Sequence, residues 1–299
     1  MMINIKNELN KLGELELDKN ISELTTIRIG GKAKYVIYPY NYLTLNQIIR
    51  LLNDNKLPYK VFGKGSNIIA SDDYFEGCII KLDRHFNDFY IQENTIIAES
   101  GSSIIYLSQQ AAKNSLSGLE FASGIPATLG GCVYMNAGAY NMSLSDVVDE
   151  VLIFENDEFK WIKKEACEFS YRNSYFQRNK DTIIIAAKLQ LNKGIRQDIL
   201  DLMENRRKRR CETQPLDRPN VGSVFKNPSE GFVWQYIDNL GLRGLKIGGC
   251  KVSEKHANFI INDGNAKSQD FISIVETIKD KCKNDYNIEL EIEVERFNC

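Results

Sequence analysis

Two stretches of the 299-residue sequence concentrate the residue types that hold phosphates and planar ligands. In Gly63-Lys64-Gly65-Ser66-Asn67 the glycines let successive backbone N–H groups close on an anion as a nest. The stretch matches neither G-x-x-x-x-G-K-[ST] nor G-x-G-x-x-G, and a strand follows it, so no helix dipole stands behind a phosphate. A plain hairpin turn is the alternative reading. The second stretch is Ser123-Gly124-Ile125-Pro126-Ala127-Thr128-Leu129-Gly130-Gly131, continuing to Asn136-Ala137-Gly138-Ala139. Small residues let backbone lie flat against a planar or phosphorylated ligand; a long loop packed through glycine and alanine is its alternative. Two such loops in one chain favour a nucleotide-like cofactor.

Other chemistry is bounded by what the sequence lacks. His85 and His256 are its two histidines, too few for a metal site built on imidazoles, and they leave two possible bases for a Ser–His or Cys–His pair. The seven cysteines are scattered with no C-x-x-C pair, which fits free thiols in a reducing cytoplasm. Lys and Arg number 38 against 40 Asp and Glu, a net charge of −2 that argues against a nucleic-acid partner held by phosphate neutralisation. The basic run Arg206-Arg207-Lys208-Arg209-Arg210 reads as the end of an amphipathic helix, where cations suit the dipole. The N-terminal residues lack the apolar core of a signal peptide, and no apolar run reaches the ~20 residues of a membrane helix.

The elements that position these loops follow from periodicity. Leu45, Ile48, Ile49 and Leu52 share one helical face, closed by Asn55 and Pro58. Strands are expected at Tyr59–Phe62, Ile68–Ala70 and Cys78–Leu82, and a short helix through Ile104, Leu107 and Ala111, capped by Ser102 or Ser103. A hairpin is expected over 151–162 and a strand over 182–190, with a helix over 197–210. Val233, Tyr236, Ile237 and Leu240 form one helical stripe, and Phe271, Ile274, Val275 and Ile278 another. The tail reads as a regular strand. Ile288, Leu290, Ile292 and Val294 face one way, and Glu289, Glu291, Glu293 and Glu295 the other, a face expected to be solvated.

An ordered set of motifs carries a resemblance. The loops above are preceded by Thr26-Ile27-Arg28-Ile29-Gly30-Gly31. They are followed by Ser170-Tyr171-Arg172-Asn173-Ser174, Gly222-Ser223-Val224-Phe225-Lys226-Asn227-Pro228 and His256-Ala257-Asn258-Phe259-Ile260-Ile261-Asn262. The set resembles the UDP-N-acetylenolpyruvoylglucosamine reductase family over about residues 20–295. The resemblance implies an α+β chain: a two-subdomain FAD-binding unit of the vanillyl-alcohol-oxidase-like type and a C-terminal α/β substrate domain. The segments expected are 1–83, 84–205 and 206–299. It implies non-covalent FAD, held by Gly63, Lys64, Gly65, Ser66, Asn67, Ser123, Gly124, Ile125, Pro126, Gly130, Asn136 and Gly138, chiefly at its pyrophosphate. NADPH is the implied co-substrate, sharing one site with the UDP-sugar: hydride reaches C3 of an enolpyruvyl group from flavin N5, and a proton reaches C2.

Hydride addition drives negative charge onto the substrate carboxylate, which a fixed cation stabilises. Arg172 matches the family's arginine, although an arginine after an aromatic also reads as a surface ion pair. Ser223 matches its proton donor, although Gly-Ser before a strand also reads as a turn. The family ending L-E-P-E-V-R, laid on 290–295, selects Glu293 as the catalytic glutamate with Glu291 as runner-up. Ile292 stands in place of its proline and Glu295 in place of its arginine. Tyr171, Lys226, Asn227, His256 and Asn258 are the implied substrate contacts. The short 172–223 interval leaves no room for a tyrosine-bearing loop insertion found in some members. A cytoplasmic monomer or weak homo-oligomer is expected, with no membrane partner and no metal. An FAD oxidase of another small alcohol or sugar, and a non-catalytic flavin or nucleotide-sugar binder, are the competing readings.

Overall fold

The computed structural model describes residues 5–299. The chain forms two compact units, both discontinuous in sequence. The first takes the chain up to Leu17, then 35–64 and 77–208; the second takes 18–34, 65–76 and 209–299. Against the contiguous segments expected, 1–83 and 84–205 thus share the first unit, less two excursions that belong with 209–299. The first glycine loop divides accordingly: Gly63 and Lys64 lie in the first unit, and Gly65, Ser66 and Asn67 in the second.

The first unit has two apolar cores. One lies beside a four-stranded sheet ordered Gly13–Asn20, Lys32–Pro39, Phe75–Lys81, Tyr59–Phe62. The helix Tyr42–Asp54 buries Leu45, Ile48, Ile49 and Leu52 in it, each side chain contributing about 1.5–3 kcal/mol. Asn41 starts that helix with a reciprocal capping box to Thr44, and Asn55 ends it by donating to the Leu51 carbonyl at 2.7 Å. A five-stranded sheet separates the two cores, in the order Glu158–Lys163, Val148–Glu155, Ile183–Gln190, Thr95–Glu99, Phe89–Gln92. Its central strand explains the three consecutive isoleucines. Ile183 and Ile185 enter one core while Ile184, Ala187 and Leu189 enter the other, so both faces are buried and polar alternation disappears. The hairpin turn at Asn156-Asp157 has φ of 52° and 64°, the left-handed pair a two-residue turn needs. Ser103 caps the helix Ile104–Lys113, accepting from the Tyr106 N–H.

The second unit is built on a sheet ordered Asn220–Ser223, Phe259–Asn262, Cys250–Val252, Lys246–Ile247. The helix Ser268–Tyr286 packs Phe271, Ile274, Val275, Ile278 and Cys282 into its core, and Val233–Asn239 adds Val233 and Ile237.

Two expectations fail. The tail is not a regular strand over 288–295. Residues 288–294 make a single bridge, Phe225 with Ile292, before a short strand Glu295–Phe297 pairs in parallel with Ile68–Ala70. The apolar alternation survives without a ladder: Leu290 and Val294 are buried in the core, and Ile288 and Ile292 pack against it. Glu293 and Glu295 are half-buried, so the glutamate face is only partly solvated. The helix Arg196–Thr213 is not amphipathic either. Ile199 alone is buried there, Leu200 and Leu202 are exposed, and close charge pairs such as Arg207 with Glu204 at 2.8 Å support it instead.

Candidate active site

Within the first unit the two glycine stretches meet. A Cβ on Gly63 would lie 2.5 Å from the Thr128 hydroxyl, so a side chain there would force that hydroxyl to move. Thr128 also caps the short helix Leu129–Met135, accepting from the Gly131 N–H at 3.3 Å. Gly130 donates its N–H to the Ser100 carbonyl at 2.8 Å, and the Gly63 carbonyl accepts from the buried ammonium of Lys81 at 2.7 Å. Burial pushes the Lys81 pKa down, against the pull of Asp83 at 3.3 Å. Two buried polar atoms flank these loops without a hydrogen-bond partner among the described residues: Asp83 Oδ1 and the Ser100 hydroxyl. Ser123 donates to the Glu120 carbonyl at 2.8 Å. Gly124 and Ile125 are half-buried and Pro126 exposed.

The far end of the second stretch carries Arg172. Asn136 ends the helix in the left-handed conformation, with its amide donating to the Ser170 carbonyl at 2.9 Å and its oxygen accepting from Ser145 N–H at 3.0 Å. Ser170 and Asn173 exchange two backbone bonds of 3.1 Å, closing a turn around Tyr171 and Arg172. Arg172 sits there at φ 52°, a conformation that costs a non-glycine residue about 1–2 kcal/mol. The closed turn, the Gln177 amide on the Arg172 carbonyl at 3.1 Å and the guanidinium on the Gly138 carbonyl at 2.6 Å together maintain it. Tyr171 is exposed, its ring 5.2 Å from the guanidinium.

In the second unit, four distant segments converge on the Gly222-Ser223 turn. Gly222 has φ +80° with nothing within 4 Å of an added Cβ, so backbone conformation rather than space demands glycine. Asn220 shapes the turn by accepting from the Gly222 N–H at 2.9 Å. Asn258 is buried, and both ends of its side chain serve Phe225: its oxygen accepts from the Phe225 N–H at 3.0 Å and its amide donates to the carbonyl at 2.9 Å. The tail runs alongside. Glu293 N–H donates to the Val224 carbonyl at 2.8 Å, and Lys226 N–H to the Glu291 carbonyl at 2.9 Å. The Asn67 amide donates to the Glu293 carbonyl at 2.9 Å, and Glu295 N–H returns to the Asn67 carbonyl at 2.9 Å. Glu293 is therefore pinned through both of its peptide groups, next to the residue that follows Ser223. Gly65 joins through its carbonyl, which accepts from Thr26 N–H at 3.2 Å; Ser66 is half-buried.

The remaining expected contacts lie around this turn. Glu291 is largely exposed and its carboxylate pairs with the Lys226 ammonium at 2.5 Å. The Asn227 oxygen accepts from Val233 N–H at 3.1 Å, at the start of a helix. His256 Nδ1 accepts from Asn258 N–H at 3.3 Å. Burial, then the charge of Arg243, pulls the His256 pKa down, so the ring is a neutral hydrogen-bonding group near neutral pH.

Sequence reading missed Lys81 and Asp83, and it held Thr128 only as a member of the second stretch, without its contact to Gly63. Lys81 had a signal, a lysine at the end of the otherwise apolar Cys78-Ile79-Ile80 run, where a surface residue would be the ordinary expectation. Among the described residues no group of three His, Cys, Asp or Glu could hold a metal, and no helix is long and apolar enough to cross a membrane.

Backbone N–H groups of the glycine loops and one buried cation are donors that suit phosphate oxygens, and the unmet Ser100 hydroxyl and Asp83 carboxylate oxygen could meet the hydroxyls of a dinucleotide. Residues 33–158 match an FAD binding domain, so the chain is of the FAD-dependent oxidoreductase class. The fold alone is shared with a glucose dehydrogenase, Phl p 4.0202, at a TM-score of 0.50 and 16% identity over 64% of this chain and 44% of that one. Residues 214–297 match the C-terminal domain of UDP-N-acetylenolpyruvoylglucosamine reductase. UDP-N-acetylenolpyruvoylglucosamine reductase 1 of Bacillus cereus is 38% identical over 98% of this chain and 99% of its own. The crystal structure of the reductase from Thermus caldophilus superposes with a TM-score of 0.82 at 30% identity, covering 95% of this chain and 98% of that one. The chain belongs to the UDP-N-acetylenolpyruvoylglucosamine reductase family.

Proposed function

We propose that the chain reduces the enolpyruvyl group of UDP-N-acetyl-3-O-(1-carboxyvinyl)-glucosamine to UDP-N-acetylmuramate with NADPH, supplying peptidoglycan precursors in the cytoplasm. The observation that carries this reading is the bond from Glu293 N–H to the Val224 carbonyl, which sets a carboxyl-bearing segment against the Ser223 turn. Bound FAD supplies the hydride relay from NADPH to C3 of the enolpyruvyl group. The Ser223 hydroxyl gives its proton to C2. A serine is a weak acid, but carbon with enolate character is strongly basic, so position counts for more than a matched pKa. Arg172 stabilises the charge that builds on the substrate carboxylate; its left-handed backbone is strain of the kind that persists where the surroundings over-determine a residue.

Glu293 is the third catalytic group, because its main chain is fixed at both peptides whereas the Glu291 side chain is exposed and engaged with Lys226. Lys226, Asn227 and Tyr171 offer polar groups to the sugar nucleotide. Asn258 and His256 act by holding the Ser223–Phe225 backbone in place. Gly63, Lys64, Gly130 and Gly138 line the FAD loops, while Asn136 and Asn67 spend their amides on tying backbone. NADPH and the UDP-sugar use the site in turn.

The test is spectroscopic. Purified protein should show flavin absorbance, NADPH should bleach it without oxygen, and the enolpyruvyl UDP-sugar should restore it. Colourless protein that takes up no added FAD, or a flavin that NADPH leaves oxidised, would sink the reading.

A further inference from the structure

Lys81 ends the strand Phe75–Lys81 with its side chain 7% exposed. Burying an ammonium is costly, and an apolar residue of similar volume often serves a fold as well or better. Its Asp83 partner does not complete the arrangement. Asp83 stands 3.3 Å from Lys81 and 3.9 Å from the half-exposed Lys64, yet its Oδ1 is buried without a partner among the described residues. Two ammonium groups facing one carboxylate leave a local positive excess beneath the first glycine loop.

The contact between Lys81 and the Gly63 carbonyl, 2.7 Å long, gives that excess a direction. A trans peptide points its N–H opposite to its C=O. A Gly63 carbonyl drawn inward by a buried ammonium therefore turns the Lys64 N–H outward, away from Lys81. The same charge polarises the peptide, making the outward N–H a better donor. Gly63 cannot swing away freely, because Thr128 closes its other side at the distance where a Cβ would fall.

We propose that Lys81 is a positioning residue for the cofactor: it presets and polarises the Gly63–Lys64 peptide so that the Lys64 N–H donates to the FAD pyrophosphate. The proposal rests on the assignment of this loop to the pyrophosphate. It is tested on apoprotein by titrating FAD and following flavin fluorescence, alongside thermal unfolding of the apo form. Lys81→Met should weaken FAD binding by at least about tenfold, the scale of a lost hydrogen bond to a charged group, while apo unfolding stays within a few degrees. Lys81→Arg should bind FAD within a few-fold of the unaltered protein.

Unchanged FAD affinity in Lys81→Met overturns the proposal, as does equal loss in both variants. Should Lys81→Met fail to fold, amide hydrogen exchange in the unaltered protein decides. FAD should slow exchange at Lys64, and an unchanged rate overturns the proposal. Gly63→Ala separates the two levels. If it loses FAD while Lys81→Met retains it, only the role of Lys81 falls. If it too binds normally, the pyrophosphate assignment falls with it.

Discussion

In the first unit, two stretches 65 residues apart, at Gly63 and Thr128, touch because one of them has no side chain. In the second, Asn67 and Glu293 are joined across 226 residues by a side-chain amide on a carbonyl. The first arrangement is steric: a Cβ at Gly63 would drive the Thr128 hydroxyl off its cap on the Gly131 N–H, so the sequence records the contact as a glycine. The second is a set of main-chain bonds that many sequences could make, and only asparagines at Asn67, Asn220 and Asn258 betray it. A ligand loop that needs bare backbone is thus legible locally, whereas a turn assembled from distant strands is not.

That contrast can be broken experimentally. Glu293→Gln should slow flavin reoxidation by the UDP-sugar by about 10²–10⁴-fold, the range for a general acid or base, with Glu291→Gln near the unaltered rate. The reverse order would move the catalytic glutamate to the exposed, ion-paired position. Gly63→Ala should weaken FAD binding by roughly 10- to 100-fold through overpacking against Thr128. Gly222→Ala should leave FAD binding alone and lower stability by about 1–2 kcal/mol through its positive φ, seen in denaturant unfolding.

Asn67→Ala should keep FAD, lose about 1–3 kcal/mol of stability from the unpaired Glu293 carbonyl, and slow reoxidation several-fold. Lost FAD with a normal reoxidation rate would return Asn67 to the cofactor. The smallest effect concerns His256. Its folded pKa is lowered, so protonation favours the unfolded chain, and its contribution to stability falls away as pH drops below the ordinary value of 6.5. An NMR titration should place its midpoint below that of free histidine; a midpoint above it would mean the ring gains a partner when charged.

Most elements were legible because burial imposes a period. The face Leu45, Ile48, Ile49, Leu52 and the stripe Phe271, Ile274, Val275, Ile278 lie in the cores as their spacing requires. The tail shows the limit. Its alternation reports which side chains are buried, and it holds, but alternation says nothing about where the backbone bonds go, and those of 291–293 go to Val224, Lys226 and Asn67 in place of a ladder. The helix Arg196–Thr213 failed for the opposite reason, since helix propensity and charge pairing sustain it with one buried residue. At the site, glycines and the Ser223 turn were visible, while the partners of Lys81 and the asparagines exist only in the folded chain.

The central claim is that the second unit's Ser223 turn gives the proton and takes no part in holding the cofactor. The direct measurement is anaerobic stopped-flow of Ser223→Ala, with each half-reaction followed by flavin absorbance. NADPH should bleach the flavin within about twofold of the unaltered rate, and reoxidation by the enolpyruvyl UDP-sugar should fall by about 10²–10⁴-fold. Equal slowing of both halves, or normal reoxidation, would contradict the account.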